Sequence, residues 1–252
     1  MTQFKKLSII IPVYNEKKTL PTVLAAVGNV EIPLEKEIVL IDDFSTDGSR
    51  DILNRLANEA AGEDGHSRKK YKVVFLEKNQ GKGVAVKRGF KEATGDIVLI
   101  QDADMEYTPN DYPELIRPIM EGRADVVYGS RFLPGSKNFK NSNRTVYLRG
   151  YLVSKGLNFM SNILSGVWLT DMYTCYKVFA KRTIDKIHPR LNSKRFGIDP
   201  ELTAWVGKFN FRIIEVPVSY CGRTYEEGKK INWKDGIAAI WHIFKFNLLI
   251  RK

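Results

Sequence analysis

Short runs rich in Ile and Val recur along the chain at intervals filled by helical patterns, and this alternation constrains the fold more than any other feature. The runs are Leu7–Val13, Glu37–Ile41, Lys72–Leu76, Asp96–Ile100 and Ala124–Tyr128. Their length and β-branched content suit strands covered on both faces. Between them, Lys17–Val27, Asp47–Ala61, Gly83–Ala93 and Pro109–Met120 repeat apolar residues at helical spacing, and Thr108-Pro109 reads as an N-cap followed by proline in the first turn. Strand alternating with helix predicts an α/β fold built on a mainly parallel, doubly wound sheet flanked by helices. Ligands of such sheets bind beyond the carboxyl ends of the strands. The polar clusters fall there: Asn15-Glu16, Asp42-Asp43, Asn79-Gln80, Asp102-Ala103-Asp104 and Gly129-Ser130-Arg131. Five strand ends are therefore expected to open on one crevice.

A chain of 252 residues, 43% of them hydrophobic, can bury one large core. The pattern places one α/β domain at residues 1–232 and an amphipathic helical extension at 233–252. The net charge of +11 calls for an acidic partner: nucleic acid, an anionic membrane surface or a phosphate-rich small molecule. Nucleic acid fits poorly, because it leaves the acidic pairs at the strand ends without a purpose and because no module interleaves aromatic with basic residues. Cys175 and Cys221, the two cysteines, match no zinc or redox spacing and are expected as buried thiols in a reduced, cytoplasmic setting. His66, His188 and His242 are scattered. No secretory leader is expected, no stretch reaches the roughly 20 apolar residues of a spanning helix, and the sequon at Asn143 is then without use.

Two later segments are amphipathic. Tyr147–Trp168 spaces Leu148, Tyr151, Leu152, Leu157, Met160 and Leu164 among polar residues and is expected to cover the core or meet a membrane. Gly236–Ile250 is apolar on more than one face and flanked by Lys229, Lys230, Lys234, Arg251 and Lys252. Either it docks on the core, or its basic flanks attract anionic headgroups while Trp241, Phe244 and Leu248 enter the acyl boundary. Gly62–Lys70 reads as a solvated connection and Pro134–Asn143 as a flap.

Chemistry concentrates on Asp102 and Asp104, two apart at the end of an apolar run, where extended geometry sends both side chains to one side. Two adjacent carboxylates repel, and a hard divalent cation bridging them to a diphosphate would resolve the repulsion, with Glu106 as a third oxygen donor. The alternative is that Asp104 or Glu106 helps begin the following helix. In Asp42-Asp43, followed by Ser45-Thr46-Asp47-Gly48-Ser49, one carboxylate is suited to a base or ribose, while Asp47 is expected to cap. Gly81-Lys82-Gly83 opens a helix whose first amides, with Lys82, are placed to face an anion.

The succession of Pro12-Val13-Tyr14-Asn15-Glu16, Asp42-Asp43-Phe44-Ser45-Thr46-Asp47-Gly48, Gly81-Lys82-Gly83, Asp102-Ala103-Asp104 and Gly129-Ser130-Arg131-Phe132 resembles glycosyltransferase family 2. Asp171–Lys177 and Arg223–Ile231 narrow the likeness to the dolichyl and polyprenyl phosphate sugar synthases. The resemblance implies a GT-A (Rossmann-like) fold, inverting transfer, and a Mg2+ or Mn2+ ion. It also implies a nucleotide-sugar donor held by Pro12, Tyr14, Glu16 and Asp43, with the metal on Asp102, Asp104 and Glu106. Many mannose-transferring relatives carry Gln at the position of Glu106, and the donor class is accordingly a hexose on UDP or GDP, of the UDP-glucose or GDP-mannose type. Within these motifs Arg131 suits a phosphate bidentately, and Arg223, Lys229 and Lys230 lie in a segment suited to closing over the donor.

The acceptor decides what else the site needs. A polyprenyl phosphate, with a second pKa of about 6, arrives largely as a dianion and needs no base. A saccharide or protein hydroxyl does need one, and Asp171 is then the candidate, with Asp199 and Glu201 behind it. Otherwise Asp171 caps a helix or pairs with an arginine. The sequence thus predicts a glycosyltransferase working from the cytoplasmic face, peripherally associated with the membrane, in which Asp104, Arg131 and Asp171 carry the reaction.

Overall fold

The computed structural model describes residues 4–60, 71–137, 144–223 and 233–250. The five predicted strands form, as β1 (Lys6–Val13), β2 (Glu35–Asp42), β3 (Tyr71–Phe75), β4 (Ile97–Ile100) and β5 (Val126–Ser130). Two more, β6 (Lys177–Ala180) and β7 (Ile213–Pro217), complete a seven-stranded sheet in the order β3-β2-β1-β4-β6-β5-β7. All neighbours are parallel except β6, which runs antiparallel to both β4 and β5. The inserted strand was illegible because it is only four residues long and begins with a lysine.

The sheet forms because its central strands exchange water for neighbours on both faces. Leu7, Ile9, Ile10, Ile11 and Val13 of β1 are completely buried, each removal from water being worth about 1.5–3 kcal/mol. Helices α1 (Leu20–Asn29), α2 (Ser49–Ala60), α3 (Lys82–Glu92) and α4 (Tyr112–Met120) follow the strands as the pattern predicts. Close approach of α3 to β1 depends on Gly89, where a Cβ would lie 2.3 Å from the Ile10 side chain. Further along come α5 (Arg144–Ser165), α6 (Lys181–Ile187), α7 (Ile198–Lys208) and α8 (Trp233–Phe244), the last running into a π turn at Lys245–Leu249.

The two amphipathic segments each do two things. Helices α5, α7 and α8 pack on one another, burying Asn158, Ser161, Ile243 and Phe246. Their outer faces leave Leu152, Val153, Phe159 and Ile163 of α5, and Ile237, Trp241 and Leu248 of the C-terminal helix, exposed. Docking and an exposed apolar face are therefore both present. Among the described residues no helix is long and apolar enough to cross a membrane. Cys175 is buried as expected, but Cys221 is exposed, since it sits in an irregular segment after β7 with nothing packed over it. The loop at 62–70, residues 138–143 of the flap, the sequon, Lys229 and Lys230 lie outside the described residues.

One ionic clamp ties β5 to the second half of the chain. Asp125, just before β5, accepts from Arg182 of α6 and from Arg212 before β7, through its backbone N–H at 3.0 Å and its guanidinium at 3.1 Å. Burial works against the Asp125 charge, but the bonds from Arg212 and Arg182 outweigh it and hold the carboxyl well below its ordinary value of 3.8. A carboxylate depressed in the folded state contributes stability above its unfolded pKa and loses it as the pH falls through the folded value. Urea titrations below about pH 4 should therefore show wild-type stability falling with pH more steeply than that of Asp125→Asn. Parallel curves would remove Asp125 from the acid response.

Candidate active site

The carboxyl ends of β1, β2, β4 and β5 bring the predicted clusters to one crevice. Three turns there hold a non-glycine residue in the left-handed region: Asn15 at φ 54°, Phe44 at 65° and Met105 at 61°. Such positions cost about 1–3 kcal/mol and persist only where the surroundings over-determine them. Here the over-determination is visible. Asn15 donates its N–H to Ser45 and accepts from Thr46 N–H at 2.8 Å, and the Glu16 N–H bonds Ser49. Asp47 accepts from the N–H groups of Lys17 and Ser49, which is the capping role expected of it. Pro12 and Tyr14 line the β1 side, Tyr14 lying 38% exposed at the rim.

Asp102 and Asp104 do not share one cation. Lys82, at the start of α3, approaches Asp102 to 2.6 Å, while a terminal nitrogen of Arg223 donates to Asp104 at 2.7 Å. The expected repulsion between the two carboxylates is real, but two protein cations on different sides relieve it. Burial opposes both charges of the Lys82 pair, yet mutual attraction lowers the Asp102 carboxyl and raises the Lys82 ammonium. Asp104 fares differently. Burial, with the Asp102 and Glu106 charges, pushes it up to about 7 despite Arg223.

Arg223 is the hub of the acidic face. Its guanidinium also reaches Glu16 at 3.2 Å and Glu106 at 3.5 Å, and its N–H donates to Glu106 at 3.0 Å. Tyr220 donates its hydroxyl to Glu106 at 3.0 Å, and the Cys221 N–H bonds the Glu106 carbonyl. Residues 220–223 are thereby laid along the turn after β4, joining segments that are 119 residues apart at Asp104 and Arg223. Glu16, Asp104 and Glu106 are hard oxygen donors gathered about one guanidinium. That set suits Mg2+ or Mn2+ in kind, though among the described residues no group of three His, Cys, Asp or Glu is already arranged as metal ligands.

The turn that leads into α3 is gathered by a carboxylate of the protein: Asp43 accepts from Gln80 N–H and Gly81 N–H, each at 2.7 Å, and from the Asn79 amide at 3.0 Å. Lys82, the first residue of α3, pairs with Asp102. The crevice wall here is closed by residues 193–195. A Cβ on Gly81 or Gly83 would lie 2.6 Å from the carbonyl oxygen of Lys194 or Ser193 respectively, so both positions require glycine.

The proposed bases are also spoken for. Asp171 is fully buried and accepts from Arg131 in a two-pronged pair, Nε at 2.7 Å and a terminal nitrogen at 2.8 Å, with the Arg131 N–H at 3.0 Å. The arginine pairing was one of the two outcomes open to it. Asp199 accepts from the buried Lys177 at 2.5 Å, and Glu201 accepts from the N–H groups of Asn192 and Ser193, each at 2.8 Å. Both are engaged with donors of the protein itself.

Sequence reasoning missed the layer beneath the acids. Gln101 is fully buried; its oxygen accepts from the Tyr112 and Tyr176 hydroxyls, each at 2.8 Å, and its nitrogen donates to the Asp102 carbonyl at 2.9 Å. Cys175 receives the Asp102 N–H on its sulfur at 3.1 Å. A glutamine at the end of a strand core was the available signal; its phenol partners are distant in sequence.

A mostly parallel sheet carrying carboxylates and basic side chains at its strand ends defines the class: a nucleotide-sugar-type α/β fold of the GT-A kind. The whole chain superimposes on the crystal structure of glucosyl-3-phosphoglycerate synthase from Mycobacterium tuberculosis, in complex with Mn2+, UDP and glucosyl-3-phosphoglycerate, with a TM-score of 0.65 at 17% identity, covering 98% of this chain and 81% of that one. Residues 8–187 match the family model for glycosyl transferase family 2, and the chain belongs to that family. It is 31% identical over 242 residues to a dolichol-phosphate mannosyltransferase of Pyrococcus furiosus, covering 95% of this chain and 63% of that protein's length. It is 30% identical over 226 residues to an undecaprenyl-phosphate mannosyltransferase of Micrococcus luteus, covering 87% and 85%.

If Asp43 organises the crevice wall, Asp43→Ala leaves the Gln80 and Gly81 N–H groups without their acceptor, at a cost of about 1–3 kcal/mol each. Hydrogen exchange at the Gln80 and Gly81 amides should accelerate far more than exchange in β1. Uniform acceleration would instead mark Asp43 as an ordinary contributor to global stability.

Proposed function

We propose that this chain transfers a hexose, with inversion, from a nucleoside diphosphate sugar to a polyprenyl or dolichyl phosphate at the cytoplasmic face of a membrane. The observation that carries the choice of acceptor is the state of Asp171. Fully buried, with both oxygens accepting from Arg131, it has no path to an incoming hydroxyl. A phosphate acceptor, largely dianionic near neutrality, attacks without a base. The curated relatives carry names of lipid-phosphate sugar transferases, which supports the same acceptor class. The exposed apolar faces of α5 and α8 and the net charge of +11 favour a peripheral seat on an anionic surface. The reading makes residues 1–232 the transfer domain and 233–252 its surface-seeking extension.

In this reading Pro12, Tyr14, Glu16 and Asp43 form the nucleoside wall, and Lys82 keeps Asp102 ionised beside the donor. Asp104 and Glu106, with Asp102, would hold a Mg2+ or Mn2+ ion, which would supply positive charge against the leaving diphosphate. An acceptor oxygen forms a bond to the anomeric carbon as the bond to the diphosphate breaks, and the electron pair leaves with the nucleotide. Arg131 orients the acceptor phosphate, and Arg223 and Lys229 contact the donor phosphates.

Two measurements test this. Incubation with Mg2+, labelled nucleotide sugars and a short polyprenyl phosphate should carry label into the organic phase, and Asp104→Ala should reduce that by at least about 10²-fold. Nucleotide release without lipid label would move the acceptor to a hydroxyl. Independently of turnover, Arg223→Gln should bind Mn2+ about tenfold more tightly than wild type without nucleotide, because the competing guanidinium is gone. Unchanged affinity by calorimetry would mean that Arg223 does not occupy the ion's place.

A further inference from the structure

Residues 169–172 run past the sheet without joining it. Among the described residues they have no strand neighbour, yet buried backbone groups must be paired. Three side chains do the pairing. Asn162 donates to the Leu169 carbonyl at 2.9 Å and accepts the Leu169 N–H at 3.1 Å. Asn158 donates to the Thr170 carbonyl at 2.6 Å and accepts the Met172 N–H at 2.9 Å. Glu215 of β7 accepts the N–H groups of Thr170 at 2.7 Å and Asp171 at 2.9 Å. Two amides one helical turn apart on α5 thus reproduce, in both directions, the bonds that an adjacent strand would make. Asn158 is 2% and Asn162 7% exposed.

The clamped segment presents Asp171, which holds Arg131 through Nε, a terminal nitrogen and the backbone N–H, while the Tyr220 ring lies 5.0 Å from the guanidinium. Its neighbour is tied to the same strand end, since the Thr170 and Ser130 hydroxyls lie 2.6 Å apart. Helix α5 also packs on the Phe132 ring, next to the arginine. Lys155 lies 5.2 Å from the Phe132 ring, on which Arg131 also stacks at 5.4 Å, and Tyr151 meets Phe132 edge to face at 5.1 Å.

We propose that Asn158, supported by Asn162, is a positioning residue for transfer: through residues 169–172 it sets Asp171, and through Asp171 the guanidinium of Arg131. The amides belong to the same helix whose outer face exposes Leu152, Val153, Phe159 and Ile163, so the helix that meets the acceptor's surroundings also holds the group that orients the acceptor. The kinetic consequence rests on the reading of Arg131 given above; the mechanical one does not.

The test separates the two. The Nε–H of Arg131, assigned by its loss in Arg131→Lys, should give a slowly exchanging NMR signal in the full chain because Asp171 accepts it. Asn158→Leu should broaden it or speed its exchange at least about tenfold, with Asn162→Leu weaker in the same direction. The KM for a short polyprenyl phosphate should rise about tenfold while the KM for the donor stays unchanged, and that rise should vanish in an Arg131→Gln background, as a shared pathway requires. If Asn158→Leu does not fold, Asn158→Ser, which is too short to span the clamp, takes its place. An Arg131 signal that stays protected in the folded variants overturns the proposal. Lost protection with an unchanged acceptor KM upholds the clamp and overturns the phosphate role of Arg131. A raised acceptor KM that persists undiminished without Arg131 overturns the coupling between them.

Discussion

Four carboxylates crowd one edge of the sheet, Glu16 after β1 and Asp102, Asp104 and Glu106 after β4, and they can be buried together only if cations reach them from elsewhere in the chain. Two do. Lys82 arrives with the first turn of α3, and Arg223 arrives after β7, with β5, β6 and helices α4 to α7 lying between it and β4. Charge compensation of this kind is a long-range constraint, because an isolated buried carboxylate is far costlier than any single packing contact. It explains why α3 must approach β1 as closely as Gly89 permits, and why residues 220–223 lie against the turn after β4. The compensation is incomplete: three acids share the single guanidinium of Arg223, and burial together with the Asp102 and Glu106 charges still pushes the Asp104 carboxyl up to about 7. A site in that state is matched to a ligand that brings both positive and negative charge, as a metal-bound nucleoside diphosphate does.

Around that centre the backbone is held in uncommon shapes by side-chain bonds. Asn15, Phe44 and Met105 all take left-handed conformations at strand ends. Asp43 gathers the 79–81 turn, and Gln101 pins the carbonyl of Asp102 through two tyrosines. Rigidity of this kind places polar groups before a ligand arrives, so that less reorganisation is needed when charge moves. The carboxylates most exposed to sequence-based suspicion therefore divide in two. Asp102, Asp104, Glu106 and Glu16 pair with the side chains of Lys82 and Arg223, whereas Asp43 and Glu201 accept from backbone N–H groups and Asp171 and Asp199 pair with Arg131 and Lys177.

Helices α5 and α8 illustrate how one amphipathic pattern serves two surfaces. Their inner sides bury Asn158, Asn162, Ile243 and Phe246 against the domain, and their outer sides keep large apolar residues in contact with solvent. Polar residues on the buried side of α5 are there for the backbone of 169–172, a segment with no strand to lean on. The apolar outer side has no use in the packing of the domain.

The five Ile/Val runs and the helical spacing between them were enough to determine β1 to β5, α1 to α4 and the edge on which a ligand would bind, because burial on both faces imprints itself on local composition. Asp102, Asp104 and Glu106 announced themselves by spacing, and Asp47 by its place before a helix. Partnership was another matter. That Lys82 answers Asp102, that Arg223 answers Asp104, and that Asp171 belongs to Arg131 depend on contacts across 20, 119 and 40 residues. A carboxylate that binds a ligand and one that braces an arginine are the same residue in sequence. Strand β6 was invisible for a related reason, since four residues opening with Lys177 become a strand only when β4 and β5 offer it two ladders and Asp199 accepts its ammonium. Local pattern decided where the chemistry lies, and tertiary charge pairing decided which groups are left to perform it.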